Sequence, residues 1–208
     1  MTLTQVRALI ASRPAAIAAA VIGNLIPALG VAFLGWSASQ ILILYWMENV
    51  ILGVLTVPRI VAAGRGRPEG FGLALFFIVH YGLFCLGHLI FVMVLVARLV
   101  SGGDDLVADA DDGRGFYLAI LAVAVLHLAS QVREWWMPGR WREAAPGSEM
   151  FKPYGRIFVL HLTVLLGAWL ILGTGAPAAT ILLLCLLKLA LELVMIAITG
   201  VSNALKPA

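Results

Sequence analysis

The segment from Phe76 to Val92 is apolar enough to cross a lipid bilayer, yet it contains four ionisable side chains, namely His80, Tyr81, Cys85 and His88. On a helix that turns about 100° per residue, both histidines fall on one stripe about 80° wide, together with Phe77, Phe84 and Phe91. Ionisable groups within hydrocarbon are costly and usually face the interior of a helix bundle. The segment therefore predicts a transmembrane helix whose two imidazoles face a protein neighbour.

The rest of the chain has the same apolar character, with 62% hydrophobic and 12% charged residues among 208 and a mean hydropathy of +1.01. This composition excludes an ordinary soluble domain, and the length suffices for about six spans of roughly 20 residues. We predict an all-α, multi-pass protein of a prokaryotic inner (cytoplasmic) membrane, with a single domain over residues 1–208. Its transmembrane helices are predicted at about 15–36, 38–60, 71–99, 116–132, 157–172 and 178–198.

The distribution of charge predicts the orientation. Eleven of the 14 Lys and Arg residues lie in the tails or in the loops after the second and fourth helices. The loop after the third helix instead contains five aspartates between Asp104 and Asp112. By the positive-inside rule, both termini are cytoplasmic and the acidic loop faces outward.

The connection from Arg133 to Arg156 mixes five basic residues with aromatic ones. Such a mixture is typical of a segment that lies at the level of the lipid headgroups. We therefore expect the lipid bilayer as a partner, with anionic lipids bound along residues 133–156. The formal net charge of +3 is too small to indicate nucleic acid.

Several further polar groups lie within the predicted spans. Glu48 stands at the centre of the second helix, where a carboxylate must be protonated, paired or metal-bound. At about 1.5 Å per residue, Glu48, His80 and Lys188 share the bilayer midplane. His161 and Glu192 lie ~8 Å above the inner face with His127 slightly deeper, and His88 lies ~25 Å above that face. Asn24 is expected to bond to a neighbouring helix.

These depths constrain any metal site. His80 and His88 are ~12 Å apart along their axis, too far to bind one ion as a pair, so ligands have to come from several helices. Carboxylate and imidazole ligands suit zinc, iron or manganese. The predicted ligands are Glu48, His80, His161, Glu192, His88 and His127, with Asn49, Tyr81 and Lys188 in support. Glu48 and His80 form the central pair, unless Lys188 pairs with Glu48 instead and leaves His80 a bystander.

Two classes of function are compatible with this polar core. In the first, a bound transition metal performs chemistry within the membrane on a small or lipidic substrate. In the second, the same groups form an ion or proton path in a transporter or channel. A b-type haem held by His80 and His161 is a lesser alternative. A purely structural alternative is that these polar groups only form hydrogen bonds between helices. Whether the protein is an enzyme, and which ligand it takes, stays open at this level.

Four blocks of sequence, residues 44–53, 80–91, 156–161 and 188–192, resemble the signature blocks of a prokaryotic membrane-protein family catalogued only as a domain of unknown function. They read LYWMENVILG, HYGLFCLGHLIF, RIFVLH and KLALE, and the resemblance spans most of the chain. That family usually has Asp at the place of Glu192 and a histidine a few residues later, where this chain has Ile196 to Thr199. The resemblance implies a shared polar core but no activity. The core residues it implies are Glu48, Asn49, His80, His88, His161, Lys188 and Glu192.

Overall fold

The computed structural model of the chain describes residues 14–102, 113–174, 183–194 and 196, and in this part all regular secondary structure is helical, without a strand. The α-helices are α1 (Pro14–Phe33), α2 (Ala38–Ala63), α3 (Pro68–Ser101), α4 (Arg114–Gln131), α5 (Pro146–Thr174) and α6 (residues 183–194). A π-helical turn (Val132–Trp136) extends α4, and a 3-10 turn (Arg140–Arg142) follows it. The acidic loop at 104–112 and the ends of the chain lie outside the described residues.

Three helical stretches are long and apolar enough to cross a membrane: Ala38–Ala63, Pro68–Ser101 and Arg114–Trp136. A shorter apolar helical stretch is Ala20–Phe33 in α1. The predicted class, an all-helical protein compatible with a membrane location, is therefore confirmed at this level. The count of six spans and the cytoplasmic placement of both termini stay predictions.

The start of α2 is defined by a capping box. Ser37 Oγ accepts a hydrogen bond from the Gln40 backbone N–H at 3.2 Å, and Gln40 Oε1 accepts one from the Ser37 N–H at 2.9 Å. Both residues are buried. Because backbone N–H groups at a helix start have no partner within the helix, this reciprocal cap satisfies two donors that burial would otherwise leave unpaired.

Glycines bring α2 and α3 unusually close to each other. A Cβ placed on Gly64 would lie 2.6 Å from Cα of Gly70, and one on Gly53 would lie 2.6 Å from the ring of Tyr81. Small residues at such points let the backbones of membrane helices approach closely. This pairing fixes the rotation of α2, so that the adjacent residues Glu48 and Asn49 face different neighbours.

The buried face of α3 includes His88 but not His80. Its buried positions recur at helical spacing and include Ala74, Phe77, Tyr81, Cys85, His88 and Val92. His80 is exposed, stacks on Phe76 and has its Nδ1 2.7 Å from the hydroxyl of Tyr154. Both imidazoles nevertheless face one neighbour, as the stripe predicted, because Tyr154 and His161, which contacts His88, both belong to α5. Since eight residues rotate a helix by about 80°, the two histidines lie at opposite edges of this stripe, and only His88 is buried.

Helix α5 begins at Pro146 and not near residue 157. His161 therefore lies about 22 Å along its helix, where the predicted start would place it only about 6 Å along. This difference raises His161 to the level of His88, which was expected in a separate layer. The connection 133–156, predicted as a surface segment, is mostly helical, with the π turn at one end and the first turns of α5 at the other.

Candidate functional site: a buried charge network

Lys188 of α6 is the centre of a network of buried charges. Its ammonium group donates to Glu48 Oε2 at 2.8 Å, to Glu192 Oε1 at 2.9 Å and to Asn24 Oδ1 at 3.3 Å. An ammonium has three N–H donors, and all three are used. Lys188 therefore holds two carboxylates together, Glu48 of α2 and Glu192 of its own helix.

The remaining oxygens of the two carboxylates also have partners. Nδ2 of Asn24 donates to Glu192 Oε2 at 3.0 Å and to the Ala20 carbonyl at 2.8 Å. Nε2 of His127 lies 3.0 Å from Glu48 Oε1. An ionised carboxylate can only accept, so the imidazole is the donor in this bond. Both oxygens of each glutamate are thus engaged.

The network joins four helices and is screened from the surroundings. Its five side chains come from α1, α2, α4 and α6, and none is more than 7% exposed. The ring of Tyr45 covers the ammonium of Lys188 at 4.8 Å, and its hydroxyl donates to Sγ of Cys185 at 2.9 Å. Charge interactions are strong at such a site because water does not screen them.

The structure joins Glu48 to Lys188 and not to His80, so the ion-pair alternative describes the centre of the bundle. His127 also reaches Glu48, although it was expected nearer the inner face. Asn24, which the sequence indicated only as a contact between helices, bonds to both Lys188 and Glu192. The sequence signal for this role of Asn24 was that it is a strongly polar residue in an otherwise apolar helix.

A second polar cluster lies between α3 and α5. The rings of His88 and His161 are 4.4 Å apart between centroids and nearly perpendicular, at 83°. Within the described residues, neither nitrogen of His88 nor Nδ1 of His161 has a hydrogen-bond partner. Two turns earlier on α3, the hydroxyl of Tyr81 donates to the backbone carbonyl of Asn49 at 3.2 Å.

The predicted metal ligands are therefore divided among three places. Glu48, His127 and Glu192 belong to the charge network, His88 and His161 pack on each other, and His80 bonds to Tyr154. Among the described residues, no three His, Cys, Asp or Glu side chains come together to hold a metal ion. The pair proposed for haem, His80 and His161, has different bonding partners in the structure.

A third cluster lies at the end of the bundle where α2 finishes and α5 begins. Glu149, only 2% exposed, accepts hydrogen bonds from Arg59 and Lys152. The guanidinium of Arg59 also stacks over the ring of Trp135 at 4.9 Å. The sequence did not single out Glu149, because it fell within a segment predicted to be a surface connection. This cluster ties α2, the π turn and α5 together.

Comparison with known proteins gives a family and no activity. A protein-family model described as "Family of unknown function (DUF6498)" matches residues 7–207. The match covers nearly the whole chain, as the resemblance of the sequence blocks indicated. No curated protein and no solved structure matches the chain.

Proposed function

The chain belongs to this family of unknown function, and from the geometry of its buried network we propose that it is an ion- or proton-coupled membrane transporter. In this proposal the network of Asn24, Glu48, His127, Lys188 and Glu192 binds and releases a proton during each cycle. Carboxylates and imidazoles buried in membrane proteins commonly serve as such relays.

The charge count of the network supports the proposal. It contains two carboxylates, Glu48 and Glu192, and a single ammonium, Lys188, so it carries one net negative charge while His127 is neutral. An uncompensated charge in a medium of low dielectric is strongly unfavourable. One added proton, on His127 or on a carboxylate, removes it. The count includes the groups that are bonded to one another, and no hydrogen bond described in the structure joins Arg156 of α5 to either carboxylate.

Proton gain or loss changes how the helices hold one another. The bonds of the network connect α1, α2, α4 and α6, so each protonation state has its own set of contacts between helices. A transporter needs two arrangements whose relative stability responds to a bound ion. Because the proton is shared at the meeting point of four helices, it is well placed to shift such an equilibrium.

A metal-dependent function is less compatible with the position of Glu48. An ion bound there would have to displace Lys188 from Oε2 or His127 from Oε1. The ammonium already supplies the positive charge that a metal ion would bring. We therefore prefer the proton-coupled alternative to metal-dependent chemistry at this network.

Proton flux in liposomes tests the proposal. The purified protein is reconstituted with a pH-sensitive dye inside, and a potassium diffusion potential drives proton entry. We expect wild type to acidify the lumen faster than protein-free liposomes. Glu48→Gln is expected to return the rate to that of protein-free liposomes, because Lys188 and Glu192 then balance each other without an added proton.

The matched control is Glu149→Gln, which alters another buried glutamate with two cationic partners but outside the network. This variant is expected to keep the flux of wild type. A Glu48→Gln variant as active as wild type would contradict the proposal, as would wild-type flux no greater than that of protein-free liposomes.

We also propose that anionic lipid binds around residues 133–156, where Arg133, Arg140 and Arg142 are exposed. Each basic residue near an anionic surface is worth ~1 kcal/mol. Arg140→Gln with Arg142→Gln is therefore expected to weaken phosphatidylglycerol binding by about 2 kcal/mol, as measured by native mass spectrometry of lipid adducts. The control is Arg98→Gln, which changes an exposed arginine in the last turn of α3, outside this segment. Equal retention of phosphatidylcholine and phosphatidylglycerol by wild type would contradict the electrostatic preference.

A further inference from the structure

Buried nitrogen atoms without a hydrogen-bond partner in the described part of the chain are concentrated where α2, α3 and α5 pack on one another. Five such atoms lie at this junction, namely Nδ2 of Asn49, both ring nitrogens of His88, one terminal nitrogen of Arg156 and Nδ1 of His161. Asn49 is 4% exposed and His88 is 2% exposed. None of these atoms takes part in the charge network around Lys188.

Contacts on the three helices place these groups along one interface. Tyr81 of α3 bonds to the backbone of Asn49 on α2, and its ring packs edge-on against the ring of Tyr154 on α5, two residues before Arg156. His88 lies seven residues after Tyr81 on the same face of α3, about 10 Å further along the helix. The ring of His161 contacts His88 at this level. The unpartnered nitrogens therefore extend over about two helical turns.

Polar groups are costly to bury without partners, and hydrocarbon supplies no water to satisfy them. The amide of Asn49 and the guanidinium of Arg156 present N–H donors, and each neutral imidazole has one N–H. A ligand that satisfies these N–H donors must therefore offer acceptor oxygens. Since Arg156 is cationic, and a guanidinium matches the geometry of carboxylate and phosphate, an oxyanion fits best.

We propose that the junction of α2, α3 and α5 binds the carboxylate or phosphate group of a soluble solute that is carried together with the proton. The statement that the solute is transported rests on the proposed transport function. Glu48 and Asn49 are adjacent on α2, so the proton network and the oxyanion site share one turn of helix. A bound anion beside Glu48 favours the protonated network, and by linkage the proton favours anion binding.

Ligand binding in detergent tests the site without any transport. Inorganic phosphate and acetate are titrated into the purified protein by calorimetry, and thermal unfolding is followed in parallel. We expect at least one of the two anions to bind wild type and to raise its melting temperature. Arg156→Gln is expected to weaken binding of that anion about tenfold or more, since hydrogen bonds to charged groups contribute about 1.5 to 3 kcal/mol.

His161→Gln provides a second variant in case Arg156→Gln does not fold, and it is expected to weaken anion binding in the same direction. Arg98→Gln, which changes an exposed arginine in the last turn of α3, is the matched control and is expected to bind like wild type. Binding that is unchanged in both site variants would overturn the inference. So would the failure of both anions to bind or stabilise wild type.

Phosphatidic acid in nanodiscs distinguishes a lipid headgroup from a soluble anion. Binding of this lipid without binding of phosphate or acetate would overturn the assignment to a soluble solute. The binding result is independent of the flux result. Anion binding retained in a protein without proton flux would contradict only the transport function, whereas proton flux without anion binding would contradict only the oxyanion site.

Discussion

Lys188→Met is expected to lower the free energy of unfolding by about 3 to 5 kcal/mol, the range found when one partner of a buried ion pair is removed. Lys188 is the shared cation of two carboxylates, each no more than 6% exposed. Without it, Glu48 and Glu192 remain buried as like charges close together, and both must be protonated or solvated. Reversible unfolding of the purified protein in mixed micelles measures the difference from wild type.

Glu48→Gln and a double variant are the controls for this experiment. In Glu48→Gln, Lys188 keeps its bond to Glu192 and the charges balance, so the loss is expected to be clearly smaller than for Lys188→Met. Glu192→Gln added to Lys188→Met removes one unpaired carboxylate and is expected to recover part of the lost stability. A Lys188→Met variant as stable as wild type would show that the network is not held by charge.

Arg59→Met is expected to lower the free energy of unfolding by about 3 kcal/mol, the lower end of the range for a broken buried pair. The substitution leaves the buried carboxylate of Glu149 with Lys152, whose side chain is half exposed. It also removes the cation–π contact with Trp135. Unfolding under the same conditions measures the loss, and limited proteolysis of residues 137–145 reports whether the connection between α4 and α5 loosens.

Arg133→Met is the matched control, because Arg133 is exposed and lies in the same π turn as Trp135. Its effect is expected to be within about 0.5 kcal/mol of wild type, as for most surface substitutions. Equal losses for the Arg59 and Arg133 variants would mean that charge at this end of the bundle matters in general and that the contact with Glu149 has no special role.

The boundary of α5 illustrates what sequence reasoning missed. Residues 146–156 are polar enough to be read as a surface connection, yet they form the first turns of the helix. Pairing of Glu149 with Arg59 and Lys152 compensates the burial of its charge, and neither hydropathy nor spacing indicates a partner 90 residues away. The error in the start of α5 also placed His161 about 16 Å too near the helix start, and so separated it from His88.

What the sequence by itself determined is the class of the protein and the need for a buried polar core. Both follow from local properties: the length and hydropathy of each segment, and the free energy of placing a carboxylate such as Glu48 in hydrocarbon. That energy requires Glu48 to have a partner, whichever partner it is. The depth of a residue in the membrane also follows from its position within one helix. This calculation placed Glu48 and Lys188 at one level, and the structure joins the two side chains.

Only the tertiary structure decided which groups meet. The choice among partners at one depth depends on the rotation and order of the helices, and these are set by packing between distant segments. The contact of Gly64 with Gly70 and that of Gly53 with Tyr81 fix α2 against α3. The packing of α5 on α3 places His161 against the buried His88 and Tyr154 against the exposed His80. No periodicity within one segment contains this information. For the same reason, Asn24 and His127 join the network from helices that are far from Glu48 in sequence.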